Sequence, residues 1–376
     1  LFENIRGQER TLAILKQAVV SDRAAHSYLF HGPAGVGKFT TALYFGMALN
    51  CTAQPEARPC GVCNSCRKFL NLSHPDLFYH FPSPNLEFTP DGESKARTDR
   101  EKLLREYSAF IENRRSTPWR EFRFGGNSEI RIDIIRWLEH RIHISAHEGR
   151  YKIAIIEDAD LINQSAANAF LKTLEEPPTD TVIILTTCRP DALMPTILSR
   201  CQRVAFRLLP RRIVEEELSK LGSLEPLAVK TYARIAGGNL EKAMRLAETG
   251  NLETREDAVK FLEIVIAQDD IAFIAFMQKR FATKAQAALL DFLAYLFVLI
   301  ADIGLYKNLT GEIANIDRTK LFDYCYQRRM NLDEEIVDIL GLLETIRTRV
   351  ETNNVSPQLS MIRIYHLLGE RFGFRN

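Results

Sequence analysis

Net charge is nearly absent from this 376-residue chain: 49 lysines and arginines face 48 aspartates and glutamates, leaving +1. That excludes a whole-molecule field drawing the chain to nucleic acid or an anionic membrane, so any DNA contact has to come from a local patch or from partner subunits. No uninterrupted apolar run approaches the ~20 residues that span a bilayer, and Leu1-Phe2-Glu3-Asn4 has no signal-peptide pattern. We therefore expect a cytoplasmic protein with no membrane partner. A disulfide framework is also missing. The cysteines number seven, and four crowd between Cys51 and Cys66 while Cys188, Cys201 and Cys325 stand alone, the pattern of a metal site in a reducing compartment. Tryptophan is scarce, and Trp119 and Trp137 read as packing anchors. Apolar residues, in contrast, make up 46 % of the chain, enough for two or three cores.

Helical spacing of Leu12, Leu15 and Val19 predicts a helix over Thr11 to Val20. A short strand, His26 to His31, leads into a glycine-rich turn and a second helix from Thr40 to Leu49. Residues 81–127 change character, with Pro82, Pro84, Pro90, many charges and Gly125-Gly126, and read as a mobile insertion with one helix over Asp99 to Asn113. Ile130, Ile132, Ile135, Leu138 and Ile142 then mark a helix, Lys152 to Ile156 a buried strand, and Asn163 to Glu175 a helix stopped by Pro177-Pro178. Thr181 to Thr186 is another buried strand. Alternating buried strands and helices imply an α/β fold with a parallel sheet covered on both faces. Beyond Arg212 the pattern is helical, with a break at Gly237-Gly238 and looser joints near Gly250, Gly311 and Asn353-Asn354.

Gly32-Pro33-Ala34-Gly35-Val36-Gly37-Lys38 fits the first seven places of G-x-x-x-x-G-K-[ST]. Glycines let successive backbone N–H groups face phosphate oxygens, and the lysine reaches the terminal phosphates. The eighth place, whose hydroxyl would ligate magnesium, is Phe39. Thr40 is one helical step, about 100°, out of position. The strand ending in Ile156 carries Glu157 then Asp158, the reverse of the Asp-Glu order in which the first acid serves the metal and the second the attacking water. Acids that merely end a strand and cap a helix are the plainer alternative.

Gly7-Gln8-Glu9, the phosphate loop, Asn168-Ala169-Phe170-Leu171-Lys172-Thr173-Leu174-Glu175-Glu176-Pro177-Pro178 and Ile197-Leu198-Ser199-Arg200-Cys201 together resemble the clamp-loader branch of the AAA+ superfamily. The resemblance spans about the first 200 residues in family order. It implies an AAA+ P-loop domain (1–207), a small helical lid (208–250) and an all-α collar for oligomerisation (251–376). Within the branch the chain is closer to a subunit that does not hydrolyse ATP. Besides Phe39 and the inverted acids, Glu241 stands where the family's lid arginine senses the γ-phosphate, and a carboxylate there repels a triphosphate. Gly32, Gly35, Gly37, Lys38, Glu157 and Asp158 are the nucleotide-site residues, with Thr187 at the sensor position or as a plain strand-end hydroxyl. Lys38 leaves ATP binding open.

Carried over from the family, Arg200 is a trans arginine finger acting on ATP held by a neighbouring subunit; a surface arginine paired with a nearby acid is the other reading. The implied partners are ATPase subunits and a delta subunit in a hetero-pentameric ring. That ring belongs to a DNA polymerase III holoenzyme and loads the sliding clamp on primed DNA. A catalytically competent AAA+ ATPase subunit using Lys38, Thr40, Glu157 and Asp158 is the alternative. Cys51, Cys60, Cys63 and Cys66, spaced C-x8-C-x2-C-x2-C, predict a structural zinc site (51–66) with four sulfurs and no place for substrate water. An iron–sulfur cluster can use similar spacing. His74-Pro75-Asp76 reads as a turn capped by the aspartate, and His140, His143 and His147 as one solvated face.

Overall fold

The computed structural model describes residues 2–84, 97–118, 120, 128–249, 252–281, 286–307, 313–327, 332–353 and 355–372. Trp119, Gly125-Gly126, Gly250, Gly311 and Asn354 lie outside the described residues. Two compact units make up the chain: Leu1–Ile213 with Gly238–Lys242, and Val214–Gly237 with Ala243–Asn376.

Five parallel strands form the sheet of the first unit: β1 (Ser27–His31), β2 (Leu77–His80), β3 (Lys152–Ile156), β4 (Thr181–Thr187) and β5 (Gln202–Ala205), in the order β2-β3-β4-β1-β5. Alternate side chains serve opposite faces. Tyr28, Phe30, Ile153, Ile155, Val182 and Ile184 pack with the helices α1 (Glu9–Val20), α2 (Lys38–Leu49) and α3 (Asn64–Leu70). On the other side, Leu29, Ala154, Ile156, Ile183 and Leu185 pack with α5 (Ile132–Ile142), α6 (Gln164–Glu175) and the short α7 (Pro195–Leu198). Burial on both faces is why β3 and β4 are continuous apolar runs; each buried isoleucine contributes about 2 kcal/mol. The core strands are the expected ones. The edge strands β2 and β5 were not expected: each is four residues long and only partly buried.

Helix ends follow local chemistry. The Asn163 side chain caps α6 by accepting from Ala166 N at 2.9 Å, and the helix stops at Glu175, ahead of the two prolines. Ile130, expected on α5, instead bridges Ile162. Within the insertion, α4 (Arg97–Ser116) is the expected helix with longer ends, and it packs beside the end of β2: the Phe81 ring stacks on Phe110 at 4.0 Å and lies tilted against Tyr107 at 5.4 Å. Trp137 is half exposed, with its ring edge-on to Phe78 and His80, so it is a surface cover and not a buried anchor.

The second unit is helical: most of α8 (Arg211–Ser219), α9 (Pro226–Ala236), most of α10 (Leu240–Thr249), α11 (Leu252–Ala267), α12 (Asp270–Arg280), α13 (Gln286–Leu305), α14 (Thr319–Gln327), α15 (Leu332–Asn353) and α16 (Pro357–Phe372). Gly237 ends α9 in the left-handed region, at φ 57°. By length and composition Ala288–Leu305 could cross a membrane, but just over half of it is buried among its neighbours, which marks a core helix. Asp302, fully buried on α13, accepts from the Ala314 and Asn315 N–H groups and pairs with Arg234 at 2.6 Å.

Asp76 is not a local turn cap. Its carboxylate accepts from the backbone N–H groups of His147, Glu148 and Gly149 at 2.6, 2.9 and 2.7 Å, tying the loop before β3 to the start of β2. Burial works to raise its pKa, but the three N–H donors outweigh burial and hold it below the ordinary 3.8. A depressed native pKa means that the stabilisation is complete above the unfolded value and is lost as pH falls through the native one. Asp76→Ala is accordingly expected to cost about 2–3 kcal/mol at pH 7 in urea denaturation. The gap to wild type should narrow below pH ~4; coincident urea midpoints at pH 7 would contradict the assignment.

Candidate functional site

The loop after β1 turns on glycines with φ of 142° at Gly32, 66° at Gly35 and 90° at Gly37. A Cβ on Gly32 would lie 2.3 Å from the Phe206 carbonyl oxygen, and one on Gly35 1.8 Å from Asn239 Oδ1. Only glycine fits either place. Asn239 caps α10 by accepting from Lys242 N at 2.8 Å, and the Gly35 carbonyl accepts from Leu240 N and Glu241 N at 3.1 and 3.4 Å. The loop's own carbonyl thus satisfies N–H groups at the start of α10, bringing Glu241 beside the loop.

Lys38, the first residue of α2 and 7 % exposed, is folded back on the loop. Its ammonium donates to the Gly32 and Pro33 carbonyls at 2.9 and 2.6 Å and lies 3.2 Å from Cys188 Sγ. Opposite it, the Phe39 ring is buried 4.9 Å from the Tyr79 ring, and the Arg114 guanidinium of α4 lies 4.4 Å from the Phe39 centroid. Arg114 forms an ion pair with Glu157 Oε1 and donates to the Arg120 carbonyl and, at 3.2 Å, to the Tyr79 hydroxyl. Tyr79 in turn donates to Glu157 Oε2 at 2.6 Å. Burial works against the Arg114 charge, but the Glu157 carboxylate wins and raises its pKa; burial and the same carboxylate push Tyr79 well above its ordinary value. Thr40, turned from the metal position as its place on the helix implies, donates to the Pro118 carbonyl at 3.1 Å.

These groups, with Asp158, Thr186 and Cys188, leave a free volume of about 20 Å³, room for about one water. The loop, Lys38, Glu157 and Asp158 are brought together as expected. Thr187 is engaged elsewhere: its hydroxyl donates to Asp160 Oδ1 at 2.6 Å and accepts from Arg189 N at 2.9 Å, while Thr186 lines the cavity. Arg114, Tyr79, Thr186 and Cys188 were not found by sequence reasoning. Substitution at Phe39 and at Glu157 signalled an altered site, but nothing in the sequence singled out Arg114 as their partner.

Arg200 follows α7, is partly exposed, and is held within its own unit: it donates to the Thr196 carbonyl at 2.8 Å and forms an ion pair with Glu175, the last residue of α6.

The four clustered cysteines have their sulfurs within 4.8 Å of one another, Cys51 to Cys63 at 4.0 Å and Cys60 to Cys66 at 3.9 Å. A tetrahedron with metal–sulfur bonds of about 2.3 Å has edges of about 3.8 Å. Cys60 N, Cys63 N and Cys66 N each point at a preceding cysteine sulfur at 3.4 Å, donors suited to thiolates. Burial opposes ionisation at Cys63, but N–H donors outweigh it and bring the thiol down to about 6; burial and neighbouring thiols push Cys66 up. The arrangement can hold a tetrahedral metal ion.

A family model described as DNA polymerase III, delta subunit, matches residues 7–210. The chain is 25 % identical over 381 aligned positions to DNA polymerase III subunit tau of Bacillus subtilis, covering 98 % of this chain and 56 % of that protein. It is 28 % identical over 267 residues to subunit delta' of Bacillus subtilis, covering 71 % of this chain and 67 % of that one. Identity to delta' of Pseudomonas aeruginosa is 31 % over 245 residues, 65 % and 62 % of the respective chains. The chain thus spans about half the length of the tau relative and about two thirds of the delta' relatives. The five-strand order with its glycine loop after β1 is the AAA+ arrangement, and the family match covers more than half of the chain, including the loop, the cysteine cluster and Arg200. The chain belongs to the DNA polymerase III delta-subunit family of AAA+ clamp-loader proteins.

Proposed function

We propose that this chain is a clamp-loader subunit of the delta' kind that does not turn over ATP itself and supplies Arg200 to the nucleotide of a neighbouring ATPase subunit. The observation that carries the reading is the state of Glu157: both its oxygens are taken, by Arg114 and by Tyr79, beside a phenylalanine where a metal-binding hydroxyl belongs. With the Glu157 oxygens engaged and Phe39 in place of a hydroxyl, the two groups that would complete a magnesium shell are not offered. Arg200 retains its Leu198-Ser199-Arg200-Cys201 setting, and the ion pair with Glu175 is partly exposed, so it exchanges for a phosphate at small cost. The relatives named as tau and delta' subunits support a hetero-oligomeric setting, which we read as a five-subunit ring placing the sliding clamp on primed DNA in the cytoplasm. A lid ending near residue 250 and a collar beyond it complete the proposed organisation.

We assign the Cys51, Cys60, Cys63 and Cys66 sulfurs to one structural zinc ion, with backbone N–H donors at the Cys51, Cys60 and Cys63 sulfurs favouring thiolates there. All four places of a tetrahedron are then filled, leaving none for a substrate.

In a reconstituted loader, Arg200→Ala is expected to lower DNA-stimulated hydrolysis at the adjoining site by roughly tenfold or more without dissociating the complex on gel filtration. Unchanged turnover removes the finger. Hydrolysis by the isolated chain, abolished by Lys38→Ala, would instead establish a competent ATPase. Protein purified without chelator should carry about one zinc per chain by elemental analysis. Cys63→Ser should lose the metal and melt at lower temperature, and a wild-type chain without zinc rejects the assignment.

A further inference from the structure

Phe39 and Glu157, two of the substituted positions of the nucleotide motif, share one partner. In a hydrolytic P-loop these places hold Mg²⁺ through a hydroxyl and a carboxylate. Here the Arg114 guanidinium lies 4.4 Å from the Phe39 ring centroid and forms an ion pair with Glu157 Oε1. A π-face and a carboxylate are what a planar cation takes, and the extra methylene of glutamate extends the reach toward it. The second Glu157 oxygen accepts from Tyr79 at 2.6 Å, so neither is left for a metal ion's shell. Arg114 is 2 % exposed, and α4 is held in place by the Phe81–Phe110 stack and by the Thr40 bond to the Pro118 carbonyl. The residues present do not fit a magnesium-bound nucleotide.

We propose that Arg114 stands in the place of the divalent cation, so that helix α4 closes the phosphate loop from within the same chain against magnesium-bound nucleoside triphosphate. The inference rests on the non-hydrolysing reading above and gives its physical cause. Tethering makes the arginine a competitor of high effective concentration, and Lys38, turned onto the Gly32 and Pro33 carbonyls, completes the closed arrangement.

Calorimetric titration of the full chain with Mg²⁺ and ATPγS tests this. Wild type is expected to bind weakly, and Arg114→Ala to gain about tenfold to a hundredfold in apparent affinity, the factor by which a closed state populated at about 90–99 % masks a site. Equal affinity in the two proteins, including none in either, overturns the proposal. Where Arg114→Ala fails to fold by circular dichroism, Arg114→Gln, which keeps N–H donors but removes the charge, decides: the same gain is expected, and an affinity equal to wild type overturns the proposal. ATP hydrolysis by wild type would sink the non-hydrolysing reading itself. Equal affinities without hydrolysis remove only the placement of Arg114.

Discussion

A guanidinium and a carboxylate taken out of water together lose several kcal/mol of hydration each, and the pair survives burial only when its remaining polar atoms are also bonded. Arg114 and Glu157 meet that condition through the Tyr79 hydroxyl and the Arg120 carbonyl. Much of the site's arrangement depends on it. Glu157 follows strand β3, Phe39 lies in the first turn of the phosphate-loop helix, and Arg114 comes from an insertion between β2 and α5, so the ion pair and the cation–π contact of one arginine join three segments far apart in sequence. An aromatic wall of Phe39, Tyr79, Phe81 and Phe110 shields the pair, keeping its surroundings of low dielectric and its attraction strong.

The two other polar devices follow the same rule on a smaller scale. Asp76 meets three N–H groups, and Asp302 meets Arg234, Asn315 and the backbone at Ala314 and Asn315. Each links segments that the chain itself does not hold together: the loop ahead of β3 to the start of β2, and α9 to α13. In the cysteine cluster, where backbone N–H groups already point at three sulfurs, the proposed zinc ion would supply the missing positive charge. These sites share a logic in which each buried anion has its donors from elsewhere in its own unit.

The proposed division of labour in a loader is consistent with this chemistry. A phosphate loop kept for its fold, with its carbonyls and lysine bonded to one another, is a rigid element, and rigidity is what a subunit that only positions Arg200 would need. The Glu175 pairing holds that arginine at an exposed edge and not within the loop's cavity.

Much of the first unit was legible from sequence alone because its information is local. Glycines in a loop after a buried strand, cysteines two residues apart, and apolar runs with period two or 3.6 reflect backbone geometry that neighbouring residues dictate. That determined the parallel sheet, the helix ends at Asn163 and Gly237, the cysteine site and the altered phosphate loop. The edge strands β2 and β5 were missed because four partly buried residues carry too little pattern. Thr187 could be placed at a strand end, but not aimed, since its bond to Asp160 depends on a turn 27 residues away. Arg114 was one arginine among many in a charged insertion. Only packing decided that this one is buried, because a long-range ion pair leaves no periodicity in the chain and is set by which segments the sheet brings together.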